Sequence, residues 1–439
     1  MGKGLKEEVL SDDLRYNLRP WVAQANQNPI AVSHAKGVFF WDYDGKRYFD
    51  MSSQLVNSNL GHSNEEINEA IKKQLDNFAY IAPAHAAYPR SNLAKKLVKK
   101  APSNMAKVFF TCGGAESNDN AILIARAFSG KYKIFSSYRS YHGSTIGSGN
   151  LSGDARRFAA ERPSAGGFIK FLTPYIYREK IKFKNEKDIA KYYLELLCDQ
   201  IIAEDPNNIA AITLEAVAGT NGVIIPPKGY LEGVRKLCDE FNILLHIDEV
   251  MGGFGRTGRL FAFENFDIQP DIITFAKGIT CGYVPLGGVI VSKEIADFYD
   301  THQLLCGLTY NAHPLACAAG IAVLDYYDNH HIFKHVRKLG KVLKQTLASF
   351  EKKHKSVGDI RSIGLFAAVE LTADKRAKKS LSDKIPYVVN LLRQRGFATI
   401  GRGSNIIIAP PLIITKEELL EALEILDEVL HIVDNEYEK

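Results

Sequence analysis

The chain has 439 residues, 46% of them hydrophobic and 24% charged, with 34 Gly and 16 Pro. These globular proportions suffice for a large buried core and exclude disorder over most of the length. Lys and Arg number 55 against 50 Asp and Glu, and the resulting +5 is spread along the chain, so it supplies neither a nucleic-acid footprint nor a polybasic membrane patch.

The first 21 residues mix acids with bases and lack the continuous apolar stretch of a secretory signal. Residues to about 65 alternate short extended pieces with turns, and GVFFWDYDGKRYFD reads as a hairpin around Asp44 and Gly45. The pattern over 65–100 is helical and gives way at Ala101, Pro102 and Ser103 to a strand over 106–111, then a Gly-Gly turn and a helix. The middle repeats a strand, turn and helix cycle: KYKIFSS, IAAITLEA, ILLHIDE and DIITFAK are apolar and short enough for buried parallel strands. The helix GYLEGVRKLCDEFN sits between two of them, as a right-handed crossover requires. Together these make residues 66–324 a large α/β domain. Beyond it come a long amphipathic helical run, the extended pieces GLFAAVELT, GFATIG and NIIIAPPL, and a terminal helix with a capping box at Thr415 and Glu418. Residues 325–439 read as a smaller α+β domain onto which the segment 1–65 packs.

The longest later apolar run, around residues 406–414, is broken by Pro410 and Pro411, so a soluble cytoplasmic protein with no membrane partner is expected. The six cysteines are widely spaced without a CxxC pair and read as reduced. Cys306 and Cys317 share a stretch with His302 and His313, but structural thiols and surface imidazoles explain them better than zinc does, and no metal is expected.

Gly113, Gly114, Ala115 and Glu116 sit where a strand ends and a helix starts, with Ser117 and Asn118 in the first turn. Free backbone N–H groups there favour an anion, and small residues let a phosphate approach; a purely structural turn would look the same. The stronger signal is Asp248 and Lys277, each at the C-terminal edge of an apolar run, where open α/β sheets place their ligands. Charges there are expensive unless used. A desolvated lysine gains nucleophilicity, and an acid opposite can hold a protonated heteroaromatic nitrogen; the plainer alternative is a structural salt bridge. Tyr141-His142-Gly143 follows KYKIFSS, Glu215 follows AAITL, and Asp248-Glu249-Val250 leads into the glycine-rich GGFGRTG. An aromatic plate, a phosphate turn, an acid and a lysine are together what pyridoxal phosphate needs.

The chain resembles the class III pyridoxal-phosphate aminotransferases of fold type I from about Trp21 to the C-terminal helix. The resemblance rests on Asn59-Leu60-Gly61-His62, CGGAES at 112–117, Tyr141-His142-Gly143, Leu214-Glu215 with Asn221-Gly222-Val223, Ile247-Asp248-Glu249-Val250 with GFGRTG at 253–258, Phe275-Ala276-Lys277-Gly278 and Pro410-Pro411-Leu412. It implies a large domain with a mostly parallel seven-stranded sheet and a small α+β domain. It also implies that Lys277 carries the cofactor and moves the proton, and that Asp248 faces the ring nitrogen. Val250 and Tyr141 would take the two ring faces, with His142 in support. Gly114 and Ala115 would take the phosphate, and Thr309 would reach it from the neighbouring subunit of a homodimer or tetramer. Glu215 matches a carboxylate near the entrance that in some members pairs with a mobile arginine, and Arg402 the arginine that binds the substrate carboxylate. Trp21, Ser53, Gln54, Leu55 and Tyr80 are expected near the substrate wall, with Trp21, Gln54 and Leu55 as its substrate contacts. Arg256 and Arg259 read as loop-fixing groups.

The implied reaction is ping-pong transfer of an amino group from an amine donor to a 2-oxo acid, pyruvate or 2-oxoglutarate. Many glutamate-using relatives carry Gln directly after Asp-Glu-Val; this chain has Met251, and there it is closer to the ω-amino acid, β-alanine and taurine transaminases. A short amine with a distal carboxylate or sulfonate is therefore expected, 4-aminobutyrate remaining within that class. An aminomutase, racemase or decarboxylase of the same fold is the alternative enzyme, and a non-enzymatic scaffold the alternative without chemistry.

Overall fold

Short apolar runs bounded by turns become strands, and the computed structural model, which describes residues 2–161 and 166–436, arranges them in three sheets. The first begins with β1 (Val32–Lys36), β2 (Phe39–Asp42) and β3 (Arg47–Asp50), joined antiparallel. β2 and β3 form the expected hairpin, its turn closed by Gly45 N–H donating to Asp42 O and by Lys46 N–H donating to Asp42 Oδ1.

The central sheet contains β4 (Met105–Thr111), β5 (Lys133–Ser137), β6 (Phe168–Phe171), β7 (Ile209–Leu214), β8 (Leu244–Asp248), β9 (Ile272–Phe275) and β10 (Gly287–Ser292), in the order β4-β10-β9-β8-β7-β5-β6. β6, β5, β7, β8 and β9 run parallel. Every residue of β7 and β9 is buried, which is why these strands read as unbroken apolar runs rather than alternating ones. β10 is antiparallel to both β9 and β4. The connection from β9, residues 276–286, contains the 3-10 turn Lys277–Ile279 but no crossover α-helix, and the chain returns in the opposite direction.

The third sheet has β11 (Val357–Ile363), β12 (Phe366–Asp374), β13 (Lys379–Ser380), β15 (Ile400–Arg402) and β16 (Asn405–Ile408), with β13 added to β12 outside the order β11-β12-β16-β15. β14 (Phe397–Ala398) leaves this sheet and pairs in parallel with β3, so the two ends of the chain share a sheet. The helices Ile332–Lys353 and Lys416–Glu436 pack in the same region. Thr415 and Glu418 form the reciprocal capping box: Thr415 N–H donates to Glu418 Oε2 (2.8 Å) and Glu418 N–H to Thr415 Oγ1 (3.2 Å).

Two expectations are corrected. The opening residues are not all extended, since Gly2–Tyr16 is an α-helix. The helical stretch over 65–100 is two helices, Glu65–Asn77 and Tyr88–Lys100, the second entered with Pro89 in its first turn. Pro83 lies in the intervening segment, and the residue before a proline is driven out of the helical region. No helix of the described residues is long and apolar enough to cross a membrane.

Candidate active site

The carboxyl ends of the parallel strands open into a cavity of about 350 Å³. Lys277 follows β9, Asp248 ends β8, Glu215 follows β7 and the Tyr141-His142-Gly143 turn follows β5, so successive strands deliver their last residues to one crevice. Gly114 and Ala115, the first residues of the helix Gly114–Ser129, line it together with Val250, Leu55, Trp21 and Arg402.

Asp248 is almost fully buried. Oδ2 accepts from His142 Nδ1 (2.6 Å) and Asn118 Nδ2 (2.8 Å), and Oδ1 accepts from Val250 N–H (2.9 Å). Burial alone would raise its pKa, but the bonds from His142 and Val250 outweigh burial and hold it below the usual carboxylate range. Behind Asn118 the bonds continue: Thr274 Oγ1 donates to Asn118 Oδ1 (2.8 Å), and His246 lies between Thr274 Oγ1 and Thr213 Oγ1, 3.0 Å from each. Burial pushes His246 down to about 3, so it is neutral.

The Lys277 side chain has no hydrogen-bond or ion-pair partner among the described residues, and its backbone is left-handed at φ 49°. Burial lowers its pKa against the pull of Asp248 and Glu215, which favours a neutral amine. Glu215 accepts backbone N–H bonds from Tyr141 (3.0 Å) and Gly219 (2.9 Å), and burial pushes it up to about 7. Its carboxylate is met by backbone amides rather than by an arginine.

Arg156, which the sequence reading did not single out, also lines the cavity. Its guanidinium carbon lies 3.4 Å from the centre of the Tyr141 ring, which meets Trp21 edge-on at 6.4 Å, and it is paired with Asp154. Arg402 is half-buried, and its guanidinium has neither a hydrogen bond nor an ion pair among the described residues. Burial, and then Arg156, lower its pKa. Two guanidiniums with one carboxylate between them leave the cavity wall short of an anion.

Gln54 is not part of this wall. Its backbone sits at φ 61°, and its N–H and Nε2 donate to Asp50 Oδ1 (2.9 Å) and Oδ2 (3.0 Å), which turns the side chain into a separate cavity lined also by His62 and Arg393. Ser53 is likewise turned inward, accepting from Arg256 Nη2 (3.0 Å) and donating to Ala409 O (2.7 Å). Tyr80 donates to Thr309 O (2.7 Å), and Thr309 itself is exposed, outside the cavity of its own chain. Arg256 is fully buried and donates to Leu365 O (3.1 Å), Pro410 O (2.5 Å) and Asn59 Oδ1 (2.6 Å) as well as Ser53, which fits its reading as a fixing group. Cys306 and Cys317 are free, and His302 stacks on Phe298.

These donors fit a phosphorylated aldehyde cofactor. A lysine without a partner is available to carry it, a buried carboxylate faces the same space, and Gly114 leaves room at the helix start: a Cβ there would lie 2.8 Å from Val250 Cγ1.

Residues 22–430 match the family model for class III aminotransferases. A solved structure of a taurine:2-oxoglutarate aminotransferase from Bifidobacterium kashiwanohense, in complex with PLP and glutamate, is 50% identical, with a TM-score of 0.96 over 98% of both chains. An adenosylmethionine-8-amino-7-oxononanoate aminotransferase of Anoxybacillus flavithermus is 32% identical over 92% of each chain. An isoleucine 2-epimerase of Lentilactobacillus buchneri is 32% identical, covering 99% of this chain and 97% of its own.

Proposed function

The chain belongs to the class III aminotransferases, pyridoxal-phosphate enzymes of fold type I, and from that we propose that it moves the amino group of a short ω-amino acid or aminosulfonate of the taurine type to 2-oxoglutarate. The observation that carries this reading is the unpaired Arg402 beside Arg156 in the cavity that also contains Lys277. A donor with an amine at one end and a carboxylate or sulfonate at the other satisfies both ends of that cavity. The similarity to a taurine:2-oxoglutarate enzyme supports taurine and 2-oxoglutarate within the class.

Pyridoxal phosphate, when bound, supplies the sink for the electron pair released from the carbon that bears the nitrogen. Lys277 would hold the cofactor, and its Nζ would serve as the base for the proton on that carbon, a task that a desolvated amine suits. Asp248, held below the usual carboxylate range, would set a negative charge against the cofactor's ring nitrogen. Its orientation comes from His142, Asn118 and the Val250 N–H. Val250 and Tyr141 would confine the ring, and Gly114 and Ala115 would offer N–H groups to the phosphate at the helix start. Leu55 and Trp21 narrow the mouth on the substrate side. The working unit we propose is a homodimer in which the exposed Thr309 of one chain reaches the phosphate of the other.

The test is a half-reaction. Mixing holoenzyme with taurine, β-alanine or 4-aminobutyrate should convert the cofactor to its amino form, read by absorbance, and 2-oxoglutarate should reverse it; pyruvate serves as the comparison acceptor. Arg402→Ala and Arg156→Ala should each lower kcat/KM for the anionic donors by about ten- to a hundredfold, the loss expected for one charged hydrogen bond. Unchanged values in both variants would overturn the anion assignment. The likeness to an isoleucine 2-epimerase favours one second reading: turnover of a branched amino acid's configuration without any dependence on an oxo acid would replace transamination by epimerisation.

A further inference from the structure

Outside the cavity, one group of three side chains among the described residues brings metal-ligating atoms within 4.8 Å of one another: His354, Asp427 and His431. Asp427 and His431 lie one turn apart on the helix Lys416–Glu436, so both face the same way, while His354 directly follows the helix Ile332–Lys353. His354 is fully buried, and its ring is held from behind, Nδ1 lying 2.8 Å from Asp434 Oδ2. Asp434 is itself fixed by Ser356 N–H (2.8 Å to Oδ1). A carboxylate behind one imidazole nitrogen, orienting the other toward a further ligand, is the usual support of a metal-bound histidine. His354 Nε2 points at Asp427 Oδ1 (3.0 Å), and His431 Nε2 lies 3.9 Å from Asp427 Oδ2. Ligand atoms about 2.0–2.2 Å from a tetrahedral zinc ion are roughly 3.4 Å apart, a spacing these two distances bracket.

We propose that His354, Asp427 and His431 form a site for a borderline divalent cation, Zn²⁺ being the type, that staples the C-terminal helix to the end of the preceding long helix. Two imidazoles and one carboxylate suit Zn²⁺, Co²⁺ or Ni²⁺ rather than Mg²⁺ or Ca²⁺, and the half-exposed His431 leaves a fourth position for water. Lys353 now sits on Asp427 Oδ2 (2.5 Å) and must swing into solvent, where its partly exposed chain already extends. Lys352, Lys355, Lys375 and Arg376 line the adjoining groove and weaken a cation's hold, so the affinity sits in the range of an open surface site rather than of a closed structural one. None of the three ligands lines the catalytic cavity, and the site stands independently of the substrate reading.

The experiment titrates chelator-treated, desalted holoenzyme with Zn²⁺ alone by calorimetry and with Co²⁺ alone by its visible d–d absorption. One ion per chain, tetrahedral Co²⁺ bands and a rise in Tm with Zn²⁺ are expected. His431→Gln, an exposed change, should weaken binding at least tenfold and abolish the Tm rise while leaving transaminase turnover in chelator unchanged. Asp434→Asn, acting through His354, should weaken binding by about ten- to a hundredfold. The proposal is overturned if no ion binds at one per chain, or if His431→Gln binds Zn²⁺ as wild type does; either result leaves His354 as a structural link between Asp427 and Asp434.

Discussion

Thr274→Val tests whether the hydrogen-bonded chain behind Asp248 contributes to the protein as a chain. Val matches Thr in shape, so the perturbation is the hydroxyl alone. Thr274 Oγ1 gives its proton to Asn118 Oδ1 at 2.8 Å, so at 3.0 Å it must accept from His246 Nε2, which leaves His246 Nδ1 to accept from Thr213. Asn118, Thr213 and Thr274 are fully buried and His246 nearly so. Valine therefore orphans one acceptor and one donor with no water to replace the partner, each worth about 1–3 kcal/mol, or about 2–6 kcal/mol together. Thr274→Ser keeps both bonds and removes one buried methyl, about 1 kcal/mol. The assay is urea unfolding of the holoenzyme at fixed chain concentration, with the cofactor's retention on dialysis as a second readout. Valine should lower the midpoint clearly more than serine, and it should release cofactor faster, because Asn118 no longer holds Asp248 Oδ2 in place. Equal midpoints for the two variants would refute the reasoning and reduce Thr274 to a packing residue.

Gly114→Ala should weaken cofactor binding several-fold without unfolding the domain, since the new Cβ meets Val250 Cγ1 at 2.8 Å and Cγ2 at 3.0 Å; cofactor titration by fluorescence measures it, and Val250→Ala in the same chain should restore part of the loss. Glu215 gives a pH signature. Its carboxyl stays protonated to about 7 in the fold against an ordinary 4.5, so the folded state binds the extra proton in that window and Glu215's contribution to stability declines as pH rises from 4.5 to 7. In the cofactor-free protein, Glu215→Gln should flatten the fall of Tm across that window, and an unchanged slope would refute the shift.

β7, β8 and β9 were legible because both faces of a parallel sheet are covered, which turns a strand into an apolar run with its chemistry at the end. Glu215, Asp248 and Lys277 follow from that rule alone. β6 was not legible: its FIKF carries Lys170, whose ammonium donates to Ser136 Oγ and Leu151 O, bonds no periodicity announces. β10 starts at a Gly-Gly pair whose missing side chains make room for Thr111, Ser117 and Phe275, a requirement set by neighbours distant in sequence. Arg156 reaches the cavity from a loop and is held by Asp154 and Tyr141, so only tertiary structure brings it there. Gln54 was misplaced for a comparable reason, since a left-handed backbone at one residue sends its side chain to Asp50 instead of into the cavity. The strand-end rule supplied the location, and the roles given to these residues come from the resemblance to class III aminotransferases.

The pairing of β14 with β3, and the reach of Arg256 from the middle of the chain to Ser53, Asn59, Leu365 and Pro410, impose an order on the molecule's birth. Once β10 has emerged from the ribosome, every strand of the central sheet is out, and with it Lys277 and Asp248. The early hairpin still lacks its fourth strand, Arg256 still lacks two of its acceptors, and Arg402 has not been made. During that interval the growing chain holds the strand ends together with Trp21, Leu55 and Arg156, but the cavity still lacks Ile400, Gly401, Arg402 and Ile407. The cavity wall is thus the last part of the site to be completed, when the beginning of the chain meets its end.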